Sequence, residues 1–225
     1  MEEPARDCAL CPRLAGLRNA LRAQHPDWHN APVPGFGPRS ARLLILGLAP
    51  GLKGANRTGR PFTGDFAGDL LFATLKKFGW STGTYRAGRE DAAWVPDDLA
   101  LVDARLTNAV RCLPPANKPV PAEEKTCRKF LLAELDALAN LRAILVLGRV
   151  AHDAVLAAHG LKPAAAKFAH GAVHVLPGDR LLADSYHCSR YNTNTRRLTT
   201  AMFEAVFAEL DKRLARKAHA TAESA

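Results

Sequence analysis

The chain has 225 residues, 48% of them hydrophobic, and its 31 Lys and Arg exceed its 22 Asp and Glu to give a formal net charge of +9. That length and apolar content suffice for one α/β domain with a substantial core, and the charge excess suits a polyanionic partner, nucleic acid first. No apolar run approaches a bilayer span, and the start Met1-Glu-Glu-Pro-Ala-Arg6 lacks the basic-then-apolar layout of a signal peptide. Neither membrane association nor secretion is expected, and the protein is assigned to the cytoplasm.

Five cysteines in such a chain point to ligands or free thiols rather than disulfides. They divide as four plus one: Cys8 and Cys11 form a C-x-x-C, Cys112 and Cys127 are separated by fourteen intervening residues, and Cys188 lies alone. Leu14, Leu17 and Leu21 recur at helical spacing after the first pair, which places that pair at a helix start. Prolines and glycines in residues 30–38 forbid regular structure. Residues 42–47, Arg-Leu-Leu-Ile-Leu-Gly, read as a buried strand, residues 47–65 as a glycine- and proline-rich loop, and residues 69–78 as a helix. In an open α/β sheet such a loop lies at the carboxyl ends of the strands, where ligands bind. The loop holds neither G-x-G-x-x-G nor a Walker pattern, so a mononucleotide site is unsupported. Residues 79–88 carry no assignable element.

A second strand is expected over residues 104–110, followed by breaker-rich residues 111–119. The helix beginning near Pro121 sets Cys127, Leu131, Leu135 and Leu138 on one stripe, which directs Cys127 inward. Residues 143–147 read as a third buried strand, with a helix opening at Gly148. A fourth strand involves residues 173–176 and 181–185 and ends in the polar, aromatic stretch 186–195. The last helix carries Leu198, Met202, Phe203, Val206, Phe207 and Leu210 on one side, a core-packing pattern. Basic, alanine-rich sequence closes the chain, so the expected domain covers residues 1–217 with a flexible tail at 218–225. There is no internal repeat.

Three blocks stand out: Gly47-Leu-Ala-Pro-Gly51 through Gly59-Arg-Pro-Phe-Thr-Gly-Asp65, Thr107-Asn-Ala-Val-Arg-Cys-Leu-Pro-Pro115, and Ser185-Tyr-His-Cys-Ser-Arg-Tyr-Asn192. In this order, with the four cysteines, they resemble the iron–sulfur branch of the uracil-DNA glycosylase superfamily, specifically its type b members, often called family five. The resemblance covers nearly the whole chain. It implies a single α/β domain with a short, mainly parallel four-stranded sheet flanked by helices. It further implies a monofunctional DNA glycosylase of base-excision repair, which flips out uracil and hydrolyses its N-glycosidic bond. Some type b members also remove hypoxanthine, xanthine or etheno bases. A [4Fe–4S] cluster on Cys8, Cys11, Cys112 and Cys127 is implied as well, whereas cysteine spacing alone fits a structural zinc equally. Damaged DNA is the implied partner, and the protein is expected to act as a monomer.

An enzyme acting on a base in a duplex must extrude that base, hold its edge and stack on its face. By resemblance, Phe62 stacks under the base and Asn108 reads its edge with an amide that both donates and accepts. His187 stabilises the departing base, and Asp65 acts on the sugar cation or on the attacking water. Gly47, Leu48, Ala49, Pro50 and Gly51 line the base site, since glycine lets a main chain approach closely. The residues alone leave other readings open: Phe62 as a core aromatic, Asn108 capping its own turn, His187 as a structural histidine, Asp65 as a helix cap. Leu48 stands where a related branch carries an acidic residue, and the water-activating aspartate motif of the best-known uracil glycosylases is absent, so a simple general-base mechanism does not follow. Ser189, Arg190, Tyr191 and Asn192 are expected at the minor groove, with Arg190 or Tyr191 as the wedge and Cys188 a free thiol beside the DNA. A competing reading, a cluster-bearing DNA-binding or damage-sensing protein without glycosylase activity, keeps the charge and the cysteines but needs no catalysis.

Overall fold

A computed structural model describes residues 2–88 and 94–222. Helix α1 (Pro12–Gln24) begins on a proline, tolerated where the first N–H has no helical partner, and buries Leu14, Arg18 and Leu21. Strand β1 (Leu43–Gly47) is buried throughout, which explains its unbroken apolar run. The next helices are α2 (Ala55–Thr58) and α3 (Phe66–Lys77), the latter starting three residues earlier than its apolar spacing suggests because Asp65 caps it. Strands β2 (Ser81–Thr82) and β3 (Ala100–Leu101) form a small antiparallel ribbon. There follow β4 (Ala104–Asn108), α4 (Pro121–Ala137), β5 (Ala143–Leu147) and α5 (Arg149–Ala158), then β6 (Val173–Val175), β7 (Leu181–Ser185), α6 (Arg190–Asn194) and α7 (Thr200–Ala222). Residues 223–225 of the expected tail lie outside the described residues. Among the described residues no helix is long and apolar enough to cross a membrane.

The main sheet has the order β4-β1-β5-β7-β6, parallel except for β6, which runs antiparallel to β7. It is α/β and mostly parallel as expected, but five-stranded rather than four-stranded. The extra strand arises because residues 173–176 and 181–185 form a hairpin instead of contributing to one strand. Gly178 and Asp179 take φ values of 79° and 62°, the pair of left-handed residues that matches a tight turn to strand twist. The Leu176 N–H donates to the Arg180 carbonyl at 2.8 Å and closes it.

Both faces of the sheet are covered. Leu43, Ile45, Leu106 and Leu145 pack against Phe72 and Leu75 of α3 and against Phe203, Phe207 and Leu210 of α7. Leu44, Leu46, Ile144 and Val146 pack against Leu131 and Leu135 of α4 and Val155 and Leu156 of α5. Between β4 and α4, fully buried Glu134 accepts hydrogen bonds from Arg105, at 2.6 Å, and from Arg111. The register sets Gly47 beside Asn108 and Leu147 beside Ser185. The loops after β1, β4 and β7 therefore leave the sheet from one carboxyl edge.

Candidate active site

These three loops surround a cleft of about 370 Å³. Leu48, Ala49, Pro50 and Gly51 form one wall, Phe62, Asp65 and Phe66 a second, and Asn108, His187, Ser189 and Arg190 complete it. Gly47 sits behind the wall: a Cβ there would lie 2.5 Å from Asn108 Oδ1 and 2.6 Å from Phe62 Cζ. Its glycine is what lets the amide and the ring approach the same point.

Phe62 belongs to the core on one side and lines the cleft on the other. Its φ of 57° is a left-handed conformation that an aromatic residue rarely adopts. Gly68 permits the approach of α3, because a Cβ at that position would lie 2.2 Å from the Phe62 carbonyl oxygen. The centroids of the Phe62 and His187 rings are 6.4 Å apart.

Asp65 likewise does two things. Its Oδ1 accepts the Ala67 N–H at 3.0 Å and caps α3, while the carboxylate borders the cleft beside Gly51 and Gly54. Burial raises its pKa above the ordinary carboxylate value, opposed by the Ala67 N–H and by His187. Burial depresses the His187 pKa, with Asp65 pulling the other way. The His187 imidazole is therefore neutral at pH 7, able to donate one hydrogen bond without carrying charge. Asn108 is 4% exposed, and among the described residues its amide has no protein hydrogen-bond partner, so both its donor and its acceptor are available to a ligand.

The segment after His187 departs from the sequence reading. Cys188 is not a thiol beside DNA: it is fully buried in the core that includes Phe203 and Phe207, and burial pushes its thiol pKa up. The following residues form the short helix α6, capped by the Ser189 hydroxyl. Asn192 turns inward, its Nδ2 donating to the His187 carbonyl at 2.8 Å. Arg190 lies over the Phe66 ring with 4.5 Å to the centroid, and Tyr191 is 71% exposed. Sequence reasoning missed Asn117, which reaches the cleft from a turn in which Ala116 and Asn117 have φ values of 53° and 56°. The run Pro114-Pro-Ala-Asn-Lys-Pro119 was the available signal, because asparagine flanked by prolines favours such a turn.

Away from the cleft, Cys8, Cys11, Cys112 and Cys127 line one cavity bounded by α1, α4 and the loop after β4. The Arg111 N–H donates to Cys127 Sγ at 3.3 Å, and Arg18 Nη1 lies 4.0 Å from Cys112 Sγ. Burial, reinforced by neighbouring Cys127, pushes the Cys112 pKa up to about 12. Among the described residues, buried Arg18 Nε and Arg111 Nε and Nη1 find no hydrogen-bond acceptor. Unpaired guanidinium donors around four converging thiols fit an anionic, thiolate-ligated group.

A sequence model of the uracil DNA glycosylase superfamily matches residues 34–211. The chain is 47% identical over 215 residues to the type-5 uracil-DNA glycosylase of Thermus thermophilus, covering 92% of this chain and 94% of that one. It is 42% identical over 217 residues to the type-5 enzyme of Mycobacterium bovis, covering 91% and 77% of the two chains. Similarity to the type-4 uracil-DNA glycosylase of Thermotoga maritima is lower, 29% over 152 residues. With its parallel sheet, its three carboxyl-edge loops and these matches, the chain belongs to the uracil DNA glycosylase superfamily.

Proposed function

We propose that the protein is a monofunctional uracil-DNA glycosylase of base-excision repair, which binds damaged DNA, flips uracil into the cleft and hydrolyses its N-glycosidic bond. The observation that carries this is the convergence of an aromatic ring, a free amide, a carboxylate and a neutral imidazole on one cleft, from three segments far apart in the chain. In this reading Phe62 stacks on the base and Asn108 reads its edge. Cleavage moves positive charge onto the sugar and negative charge onto the base. His187 donates to the base oxygen as it becomes anionic, an interaction stronger in the transition state than in the ground state. Asp65 stabilises the sugar cation, the part a carboxylate plays in oxocarbenium chemistry. Arg190 or Tyr191 enters the minor groove, and hypoxanthine and xanthine are further candidate substrates. Incubation with a duplex bearing one uracil tests the proposal: free uracil and an alkali-labile site are expected. DNA binding without release of any base would favour the competing binding-protein reading.

The four cysteines are proposed to hold a [4Fe–4S] cluster, which would tie the amino terminus to the loop after β4 and supply structure rather than chemistry to the cleft. Sulfurs bound to a single zinc at about 2.3 Å must lie within about 4 Å of one another. Among the described residues, the only group of three or more His, Cys, Asp or Glu with ligand atoms all within 4.8 Å is His152, His174 and Asp184, which favours a larger group between the cysteines. Stoichiometric iron and acid-labile sulfide are expected in anaerobically purified protein; zinc alone at full occupancy would contradict the assignment.

A further inference from the structure

Arg60 lies two residues before Phe62 but does not reach the cleft. Its guanidinium is turned the other way, into a buried setting. Nη1 and Nη2 donate to the two carboxylate oxygens of Asp97 at 2.6 and 2.7 Å, and Nε donates to Thr63 Oγ1 at 2.8 Å. The two side chains are 8% and 1% exposed. The rings of Trp94, Phe36 and Phe72 surround the guanidinium with centroids 5.0, 5.2 and 5.8 Å from its central carbon. The Asp97 carboxylate also accepts the Arg86 and Leu99 N–H groups at 2.7 and 3.2 Å.

A buried ion pair brings little net stability over apolar packing, so this one calls for another explanation. Its forked geometry and aromatic surround fix direction closely, which a lysine or an apolar side chain would not do. What needs fixing lies next to it. Between Arg60 and Thr63, Phe62 is held at a positive φ, and a conformation of that kind persists only where its surroundings over-determine it. Gly47 leaves room for the Phe62 ring and Gly68 for its carbonyl, while the hydrogen bond from Arg60 to Thr63 spans the chain on either side of it.

We propose that Arg60 and Asp97 are positioning residues that hold the Phe62 ring at the angle needed to stack on the flipped base, and so bring the segment around Asp97 into base recognition. This rests on the reading of Phe62 as the stacking ring.

A double-mutant cycle on kcat/KM for a uracil duplex tests it, with each variant matched to the parent in iron content and circular dichroism. Phe62→Ala should lower kcat/KM roughly 10- to 100-fold, the range for losing one base–aromatic stack. Arg60→Lys should lower it on the order of tenfold, as for residues coupled through a shared backbone segment. The double variant should be no worse than Phe62→Ala alone, because the clamp has nothing left to position. Asp97→Asn, nearly isosteric, provides a second arm if Arg60→Lys does not fold, and its loss should vanish in the same way. Losses that multiply in the double variants would overturn the proposal, since Arg60 and Asp97 would then act independently of the ring. A Phe62→Ala variant with unchanged kcat/KM would instead show that the stacking reading is wrong, and the positioning role would fall with it.

Discussion

Asp65 caps α3 and borders the cleft, and replacing it with asparagine separates the two tasks. Asparagine is as good an N-cap as aspartate, so the bond from the Ala67 N–H at 3.0 Å survives the change. Part of the favourable interaction of a negative charge with the start of α3 is lost, worth about 0.3–1 kcal/mol. That loss is opposed by relief of burial, which already disfavours the charged carboxyl. Stability should therefore move by less than about 1 kcal/mol. Catalysis should respond quite differently. A unit charge about 5 Å from the sugar cation, at an effective dielectric constant of about 20, contributes roughly 3 kcal/mol. At about 1.4 kcal/mol per factor of ten, Asp65→Asn should slow single-turnover uracil excision by roughly 100- to 1000-fold. Asp65→Ala should show the same slowing together with about 1 kcal/mol of destabilisation from the lost cap. Excision rates and thermal unfolding of the three proteins, measured side by side, decide the matter. An asparagine variant that excises within about threefold of the parent would refute the electrostatic reasoning and leave Asp65 as a helix cap.

Gly47→Ala places a methyl group 2.5 Å from Asn108 Oδ1 and 2.6 Å from Phe62 Cζ, closer than either can tolerate. Excision should fall more than about tenfold as the amide and ring separate, and an unchanged kcat/KM would show that their approach is dispensable. The pH profile of kcat/KM carries a sign. Asp65 must be ionised and its pKa is raised from 3.8, while His187 must be neutral and its pKa is lowered from 6.5. Activity should thus rise with pH, as Asp65 ionises above its reference value of 3.8 and His187 loses its proton below its reference value of 6.5. A fall in kcat/KM as pH rises through 6.5 would instead identify the imidazolium as the active form.

Burial made most of the fold legible. The unbroken apolar runs at Leu43–Gly47 and Ala143–Leu147 can only be central parallel strands or buried helix segments, and their short length selects the strand. The edge strand β6 was not separable from β7, since Val173–Val175 is only partly buried and its hairpin depends on left-handed Gly178 and Asp179. At the site, Phe62, Asn108, Asp65 and His187 stand at strand ends or in the loop after β1, where punctuation by glycine and proline marks a candidate cleft. Cys188 was misread because its neighbours His187 and Ser189 face the cleft, and one residue of chain rotation was enough to bury it under α7. The Arg60–Asp97 pair joins residues 37 positions apart, and no local pattern announces such a contact.

The central claim is that three loops assemble one hydrolytic site, with His187 supporting the departing base. Its most direct test is a time course of base release from duplexes carrying uracil, hypoxanthine or xanthine, run with the parent protein and with His187→Ala. Free uracil and an abasic strand are expected from the parent, and release slowed by roughly 100- to 1000-fold in the variant with DNA binding retained. Equal rates from the two proteins, or no base released by iron-replete parent protein, would contradict it.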